Sequence, residues 1–598
     1  MRRLRWTSLT CTFLFALAGC AGDEPSEVSA GGASGEAGTG DETGSDSLES
    51  GSGTADQGEE TGMDSAGDGD GGDGDGDGGD GDGEPELPRF DARGVSIAKV
   101  YANQGVRVPI ADGEQWVDGS GRPTVLLENR QTLLRVLVDT KPDWTPREVG
   151  FELRFIYDDD TEEVLGGPVV INGPSSEDVY SSAINIPLSP TYFRKGMRFQ
   201  VSLYDTDPAL EAEPVTGPTL SPLVPGLVGI ESDDHFIHVT LVPVFHDLGS
   251  NCLPAPVVTE ADEQAMAAYL KSYNPVDRVY MSVREPVTWT SGMTGFNSIL
   301  NALSQLRNQD GATPGEYYYG LVRPCDGGPT TGGGIVAGQA IDIPGSPTMN
   351  NGGSRVAVGR WNTDTIGEEG MEMEVVSTSF KETFVHEIGH TQGRRHSPCG
   401  DAGGPDGNYP YADADIGSFG YNAVKNQLFF PNGAKDYMSY CNPTHVSDYV
   451  WNRVLPYVQT ISGWGAPNES PDADIGGGAT LLVALTDADG RTDWHHIDGS
   501  LEGAAVVEMT TATASIDGVE TTLRARVSKM SEGGGIRRAI ELPAGLDVEA
   551  LDALRVHGVT DGFATDLSMP LDVETDAMKQ SVAAIRAWAS AQTTLVSP

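Results

Sequence analysis

The stretch His386-Glu387-Ile388-Gly389-His390-Thr391-Gln392-Gly393-Arg394-Arg395-His396 decides how the middle of this chain is read. Its first two histidines stand four residues apart, so on a helix they share one face, a turn from each other. That spacing lets both imidazoles reach one zinc ion. Glu387 follows the first of them and points toward the open side of such a metal, where it can hold a water molecule. Gly393 can leave the helix with positive φ and turn the chain sharply, which brings His396 in as a third ligand. Three nitrogens leave zinc one open position, the condition for catalysis, whereas a fourth protein ligand makes a zinc site structural. Three of the ten histidines fall in this one stretch, which scattered placement on a solvated helix does not explain.

Downstream lies Asp436-Tyr437-Met438-Ser439-Tyr440-Cys441. Together the two pieces resemble the metzincin zinc metalloproteases, in which HExxHxxGxxH is followed by a methionine turn. The resemblance spans about Val257–Ser462. It implies that Met438 is an apolar base beneath the histidines and not a ligand. It implies that Tyr440, which matches a tyrosine of astacin-like and serralysin-like members, is a displaceable ligand and oxyanion donor; the plainer reading of Tyr440 is a packed core tyrosine. Ser397 after the third histidine is similar to matrixins, so the subfamily stays open. The implied reaction is peptide-bond hydrolysis, with zinc activating a water and Glu387 taking its proton and passing it to the leaving amine. The resemblance also implies that the strand near Arg355–Val358 is the cleft edge and pairs with extended substrate. Since both motif segments would then converge under one metal, Cys399 is expected to bond to Cys441 and Cys252 to Cys325. Spacing alone allows three pairings of these four.

At the start of the chain, Arg2, Arg3 and Arg5 precede an apolar run from Leu9 to Leu17 and then Leu17-Ala18-Gly19-Cys20. This is a targeting segment, too short to span a bilayer as a mature helix, and it is excluded from fold reasoning. It resembles a bacterial lipoprotein signal whose cysteine, here Cys20, becomes the lipidated first residue. With Ala21 next, the expectation is an exported lipoprotein anchored in the outer membrane and exposed to the periplasm or the cell surface.

From Ala21 to about Pro88 the chain is Gly, Asp, Ser, Glu and Thr, and Asp23 to Glu86 contains no Lys or Arg. Such a segment buries too little apolar surface to offset its ordering entropy and reads as a disordered spacer. Asp73, Asp75, Asp77, Gly78 and Glu84 fit an EF-hand loop pattern, but a Gly-Asp repeat produces that match by chance. Ca2+ is therefore left unsupported. The formal net charge of −50 argues against nucleic acid, which requires clustered Lys and Arg.

Phe90 to about Val244 carries short Val/Ile/Leu/Phe runs between turns: Thr124–Leu127, Leu133–Val138, Val149–Ile156, Phe199–Leu203 and Phe236–Leu241. These read as a β-sandwich. Beyond Val257, Thr259 can cap a helix over Ala261–Tyr273, and Ile299, Leu300, Leu303 and Leu306 mark a second. Strands are expected at Arg278–Val283, Tyr317–Val322, Gly334–Ile341 and Arg355–Val358, then the motif helix and a last helix over Val446–Ile461. The tail reads as further strands and a terminal helix over Ala577–Ala589. The expected architecture is multidomain: an α/β (α+β) metzincin-like catalytic domain flanked by β-rich, sandwich-like modules, with a disordered N-terminal linker. Its borders fall at 1–20, 21–88, 89–250, 251–465 and 466–598. The substrate would be a protein or glycoprotein. The rival reading is a cell-surface adhesin or glycan-binding lipoprotein with a vestigial zinc site; the β-rich modules permit it, and an intact Glu387 argues against it.

Overall fold

Arg198–Asp205 alternates strictly between buried and half-buried positions, with Phe199, Val201 and Leu203 turned inward. That period of two is what a strand needs to bury one face. In the computed structural model it lies in an antiparallel sheet with Phe90–Asp91, Arg147–Ile156, Glu162–Ile171 and Leu220–Leu227. A second antiparallel sheet runs Gln115–Trp116, Arg107–Asp112, Val95–Asn103, Thr132–Thr140, Ile184–Leu188. The two share one core, including Val100, Val136, Leu153 and Phe199, and make a β-sandwich.

The structure describes residues 88–569, apart from 232–233, 332–333, 368–371, 466–478, 488–489, 505–508, 517, 533–534, 544–545, 547–550, 558, 561–562 and 565–566. All of these belong to one unit, Glu84–Pro598. The targeting segment with Cys20, the acidic spacer, the Asp73–Glu84 pattern and the Ala577–Ala589 helix lie outside the described residues. The described chain is β-rich, with several sheets and few helices.

One strand changes place relative to the sequence reading. Phe236–His246 was expected in the sandwich, inside a module ending at 250. It is instead the inner strand of a mixed sheet ordered Arg278–Val283, Phe236–His246, Tyr317–Val322, Val356–Arg360, Gly338–Ala340. The first four are parallel, and Gly338–Ala340 runs antiparallel to Val356–Arg360 at the edge. Parallel strands are usually covered on both faces, and Phe236–His246 is apolar on both, which a half-solvated strand is not. The edge position also corrects the expectation for Arg355–Val358: that segment is an inner strand, and the free edge belongs to Gly338–Ala340.

On one face of this sheet, Val239, Leu241, Tyr319 and Leu321 pack against helices Glu260–Tyr273, Thr378–Thr391 and Asp448–Ser462. The first of these helices begins with a reciprocal cap. Thr259 Oγ1 accepts from Asp262 N–H at 3.2 Å, and the Asp262 carboxylate accepts from Thr259 N–H at 3.0 Å. The same carboxylate accepts from Val376 N–H at 2.8 Å, which fixes the lead into the motif helix. On the other face, Val242, Val244, Val356 and Val358 pack against Leu300, Leu303 and Leu306 of helix Asn297–Gln309.

The same core continues into Leu481, Val483, Ile497 and Met530. Leu481, Val483 and Ile497 belong to a seven-stranded antiparallel C-terminal sheet that contains the hairpin Val519–Lys529/Ile536–Leu542, and Met530 follows the first of its strands. His495 is buried in this sheet and His496 is less so, as adjacent strand residues must be.

Candidate metal centre

The motif helix Thr378–Thr391 starts at Ser377, whose Oγ accepts from Phe380 N–H at 3.1 Å. Phe380, Phe384, Val385 and Ile388 seat it on the sheet, which leaves His386 and His390 on the opposite face. After Gln392 the chain turns at Gly393, with φ +79°. A Cβ there would collide with the Pro344 carbonyl oxygen, so both conformation and space require glycine. The turn delivers His396 to the two helical histidines, with ring centroids 4.6, 4.7 and 5.2 Å apart.

Each imidazole is oriented by the main chain. His386 Nδ1 donates to Tyr437 O at 2.8 Å, His390 Nδ1 to Arg394 O at 2.6 Å, and His396 Nδ1 to Gly403 O at 2.6 Å. A proton held on Nδ1 leaves Nε2 with a free lone pair, the tautomer a metal ligand needs. His386 Nε2 and His390 Nε2 then lie 3.0 Å apart, lone pair toward lone pair. Burial pushes His390 down to about 3, which keeps that ring neutral.

A carboxylate joins them. Glu532 Oε1 lies 3.0 Å from His396 Nε2, 3.5 Å from His386 Nε2 and 3.7 Å from His390 Nε2. With each imidazole proton held on Nδ1, no Nε2 donates to this carboxylate, so lone pairs face an oxygen across the centre. Three converging lone pairs and an anion, all largely buried, call for a cation among them. An N3O donor set of this kind fits a transition metal such as zinc.

The floor beneath the histidines is Met438, fully buried. A Cβ on Gly389 would press on Met438 Sδ at 2.5 Å, so the glycine lets the methionine sit directly under the helix. Asp436 pins this turn by accepting from Met438 N–H at 2.9 Å, Ser397 Oγ at 3.0 Å and Ser447 N–H at 2.8 Å. Ser397 N–H also donates to Met438 O at 2.9 Å, so the loop after His396 and the methionine turn are tied twice. Disulfides join Cys399 to Cys441 and Cys252 to Cys325.

Glu387 is buried and faces the edge strand. A Cβ on Gly338 would meet its Cγ at 2.8 Å and Oε1 at 2.9 Å, so glycine at this position makes room for the carboxyl. Burial first, and the Glu532 charge second, raise Glu387 well above the ordinary carboxyl range. Tyr440 remains 43% exposed, and its hydroxyl donates to Glu532 Oε2. A cleft of about 410 Å³ opens beside Glu387, lined by Tyr269, Tyr273, Val385 and Tyr440 among others.

Residues 354–456 match the family model Peptidase M66. This is a zinc metallopeptidase family, and the matched segment contains His386, Glu387, His390, His396, Met438 and Tyr440. No curated protein gives a significant match. Among solved structures, a chain described as a β-galactosidase from Bacteroides fragilis aligns over 75% of this chain and 73% of its own at 11% identity. Its TM-score is 0.13, too low to carry any argument.

The motif residues named from sequence therefore meet in one place, with Cys20 outside the described residues. The sequence reading missed Glu532, which lies 136 residues beyond His396. It also missed the pinning role of Asp436, although that residue stands in the quoted methionine-turn segment. The M66-matching region ends well before Glu532, so the only local sign was an acid ahead of Gly533-Gly534-Gly535 between two strands.

Proposed function

We propose that this chain is a zinc endopeptidase of the metzincin type that hydrolyses peptide bonds of extracellular proteins or glycoproteins. The observation that carries this reading is the convergence of three Nε2 atoms whose Nδ1 partners are main-chain carbonyls, with Glu387 beside them. His386, His390 and His396 would hold the ion, which when bound would supply Lewis acidity for a water and for the substrate carbonyl.

The chain's own residues then divide the work. Glu387 accepts the proton of the attacking water and returns it to the leaving amine. Tyr440 can donate its hydroxyl to the developing oxyanion. The outer side of edge strand Gly338–Ala340, where Ala340 N–H and O now meet Ser531, can pair with an extended peptide once that side chain gives way. The Tyr269/Tyr273 cleft can receive a substrate side chain. Met438 and the Cys399–Cys441 bond hold the floor rigid. Export and anchoring through Cys20 complete the proposal, supported by the lipoprotein-like start of the chain.

The test is Glu387→Ala. It should keep one equivalent of zinc and lose peptide hydrolysis by about 10²–10⁴-fold, the usual worth of a positioned acid–base group. Metal analysis and a peptide-library assay on the same preparation read both outcomes, and undiminished turnover would sink the mechanism.

A further inference from the structure

Two adjacent residues of the C-terminal sheet cover every working group of the centre. Ser531 and Glu532 stand at the tip of the hairpin Val519–Lys529/Ile536–Leu542. Ligands held tetrahedrally at 2.0–2.1 Å from zinc lie about 3.3 Å from one another. Glu532 Oε1, at 3.0, 3.5 and 3.7 Å from the three Nε2 atoms, has that spacing. Its other oxygen takes the Tyr440 hydroxyl. Ser531 Oγ accepts from Ala340 N–H at 2.7 Å and lies 3.3 Å from Ala340 O, the two main-chain groups an incoming peptide would use on the edge strand. The same Oγ is 3.2 Å from Glu387 Oε2. The fourth metal position, the base, the phenol and the edge-strand backbone are thus all engaged at once.

The hairpin is also fastened beside the cleft. Arg526 donates to the fully buried Asp342 at 2.6 Å and Arg537 to the same carboxylate at 3.2 Å. Asp342 lies two residues past Ala340, so these pairs set the register in which the tip meets the edge strand. A side chain that met the metal by accident would not come with two buried ion pairs placing it there.

We propose that Glu532 is a fourth metal ligand and that Ser531-Glu532 is an internal stopper, so that the folded chain is latent until the tip is displaced. This rests on the zinc reading above. It agrees with the rule that zinc with four protein ligands has no position left for reacting solvent. Because Asp342 ties down Arg526 and Arg537, within three residues of the last ladder pair Lys529–Ile536, displacement is local to Ser531-Glu532 and does not require the whole sheet to leave.

The test uses the full chain, its Glu532→Ala variant and the isosteric Glu532→Gln variant, each loaded with Co2+ and titrated with acetohydroxamate while the visible absorption is recorded. The wild type must lose Glu532 before the probe can bind. Both variants should therefore bind acetohydroxamate at least about tenfold more tightly, show a changed cobalt spectrum before any addition, and cleave peptide faster. Equal affinities with identical starting spectra would overturn the stopper. So would variants that bind cobalt but lose hydrolysis, because Glu532 would then serve the reaction. If none of the three proteins binds cobalt, the metal reading itself falls and takes the stopper with it; metal content tells that outcome from the others.

Discussion

The candidate metal centre has two sides that are held very differently. The histidine side is built from main chain: each Nδ1 rests on a carbonyl, the helix is locked to the sheet by Phe380, Phe384 and Ile388, and the following loop is tied by Asp436 and Cys399–Cys441. The Glu532 side is built from side chains. Its carboxylate faces three imidazoles and accepts from a phenol, at the tip of a hairpin whose last ladder pair is Lys529 with Ile536. Main-chain support makes the triad a permanent fixture, whereas side-chain support leaves the fourth position open to competition from a better ligand.

The largest effect should come from the permanent side. His390→Ala removes one of the three proposed ligands, so the protein loaded with zinc should lose it on dialysis, read by metal analysis. Retention of one full equivalent would mean that the two sides are interchangeable and would break the comparison.

Next comes the fastening of the other side. Asp342→Ala removes a fully buried carboxylate shared by Arg526 and Arg537 and should cost about 3–5 kcal/mol in urea unfolding. A loss under about 1 kcal/mol would show that the hairpin is not anchored there. Replacing both Cys399 and Cys441 by Ser opens a loop of 42 residues and should cost about 3–4 kcal/mol by the same measurement. An unchanged midpoint would mean that Asp436 alone holds the floor.

The smallest effect is a pH dependence on the floor side. His445 donates from Nε2 to Gly105 O at 2.8 Å, stacks on Phe429, and is pushed down to about 4 by burial. A histidine depressed in the folded state contributes stability above its unfolded pKa of about 6.5 and loses it as pH falls toward 4. The contribution lost at pH 5 should be about 2 kcal/mol. His445→Gln should remove that part of the slope between pH 7 and pH 5 in thermal unfolding, and an identical slope would show that His445 does not titrate on unfolding.

The triad was legible from sequence because its geometry is local: eleven residues, one helical face and one glycine turn specify where three rings go. The Thr259 cap and the sandwich strands were legible for the same reason. Phe236–His246 could be read as a strand but not placed, because its partners Arg278–Val283 and Tyr317–Val322 come later in the chain and its pattern is silent about them. Gly338–Ala340 is three residues with no alternation, so nothing local marks it as an edge. Glu532 was invisible because its meaning arises only from packing between residues 136 positions apart.

The apolar core that Val356 and Leu303 share with Leu481 and Val483 has a practical corollary. The seam between the helix-bearing sheet and the tail is glued rather than hinged. Cutting the chain within 466–478 would leave two pieces clasped together, while expressing the first piece alone would strip one side of its sheet bare. The tail behaves as one wall of the same building.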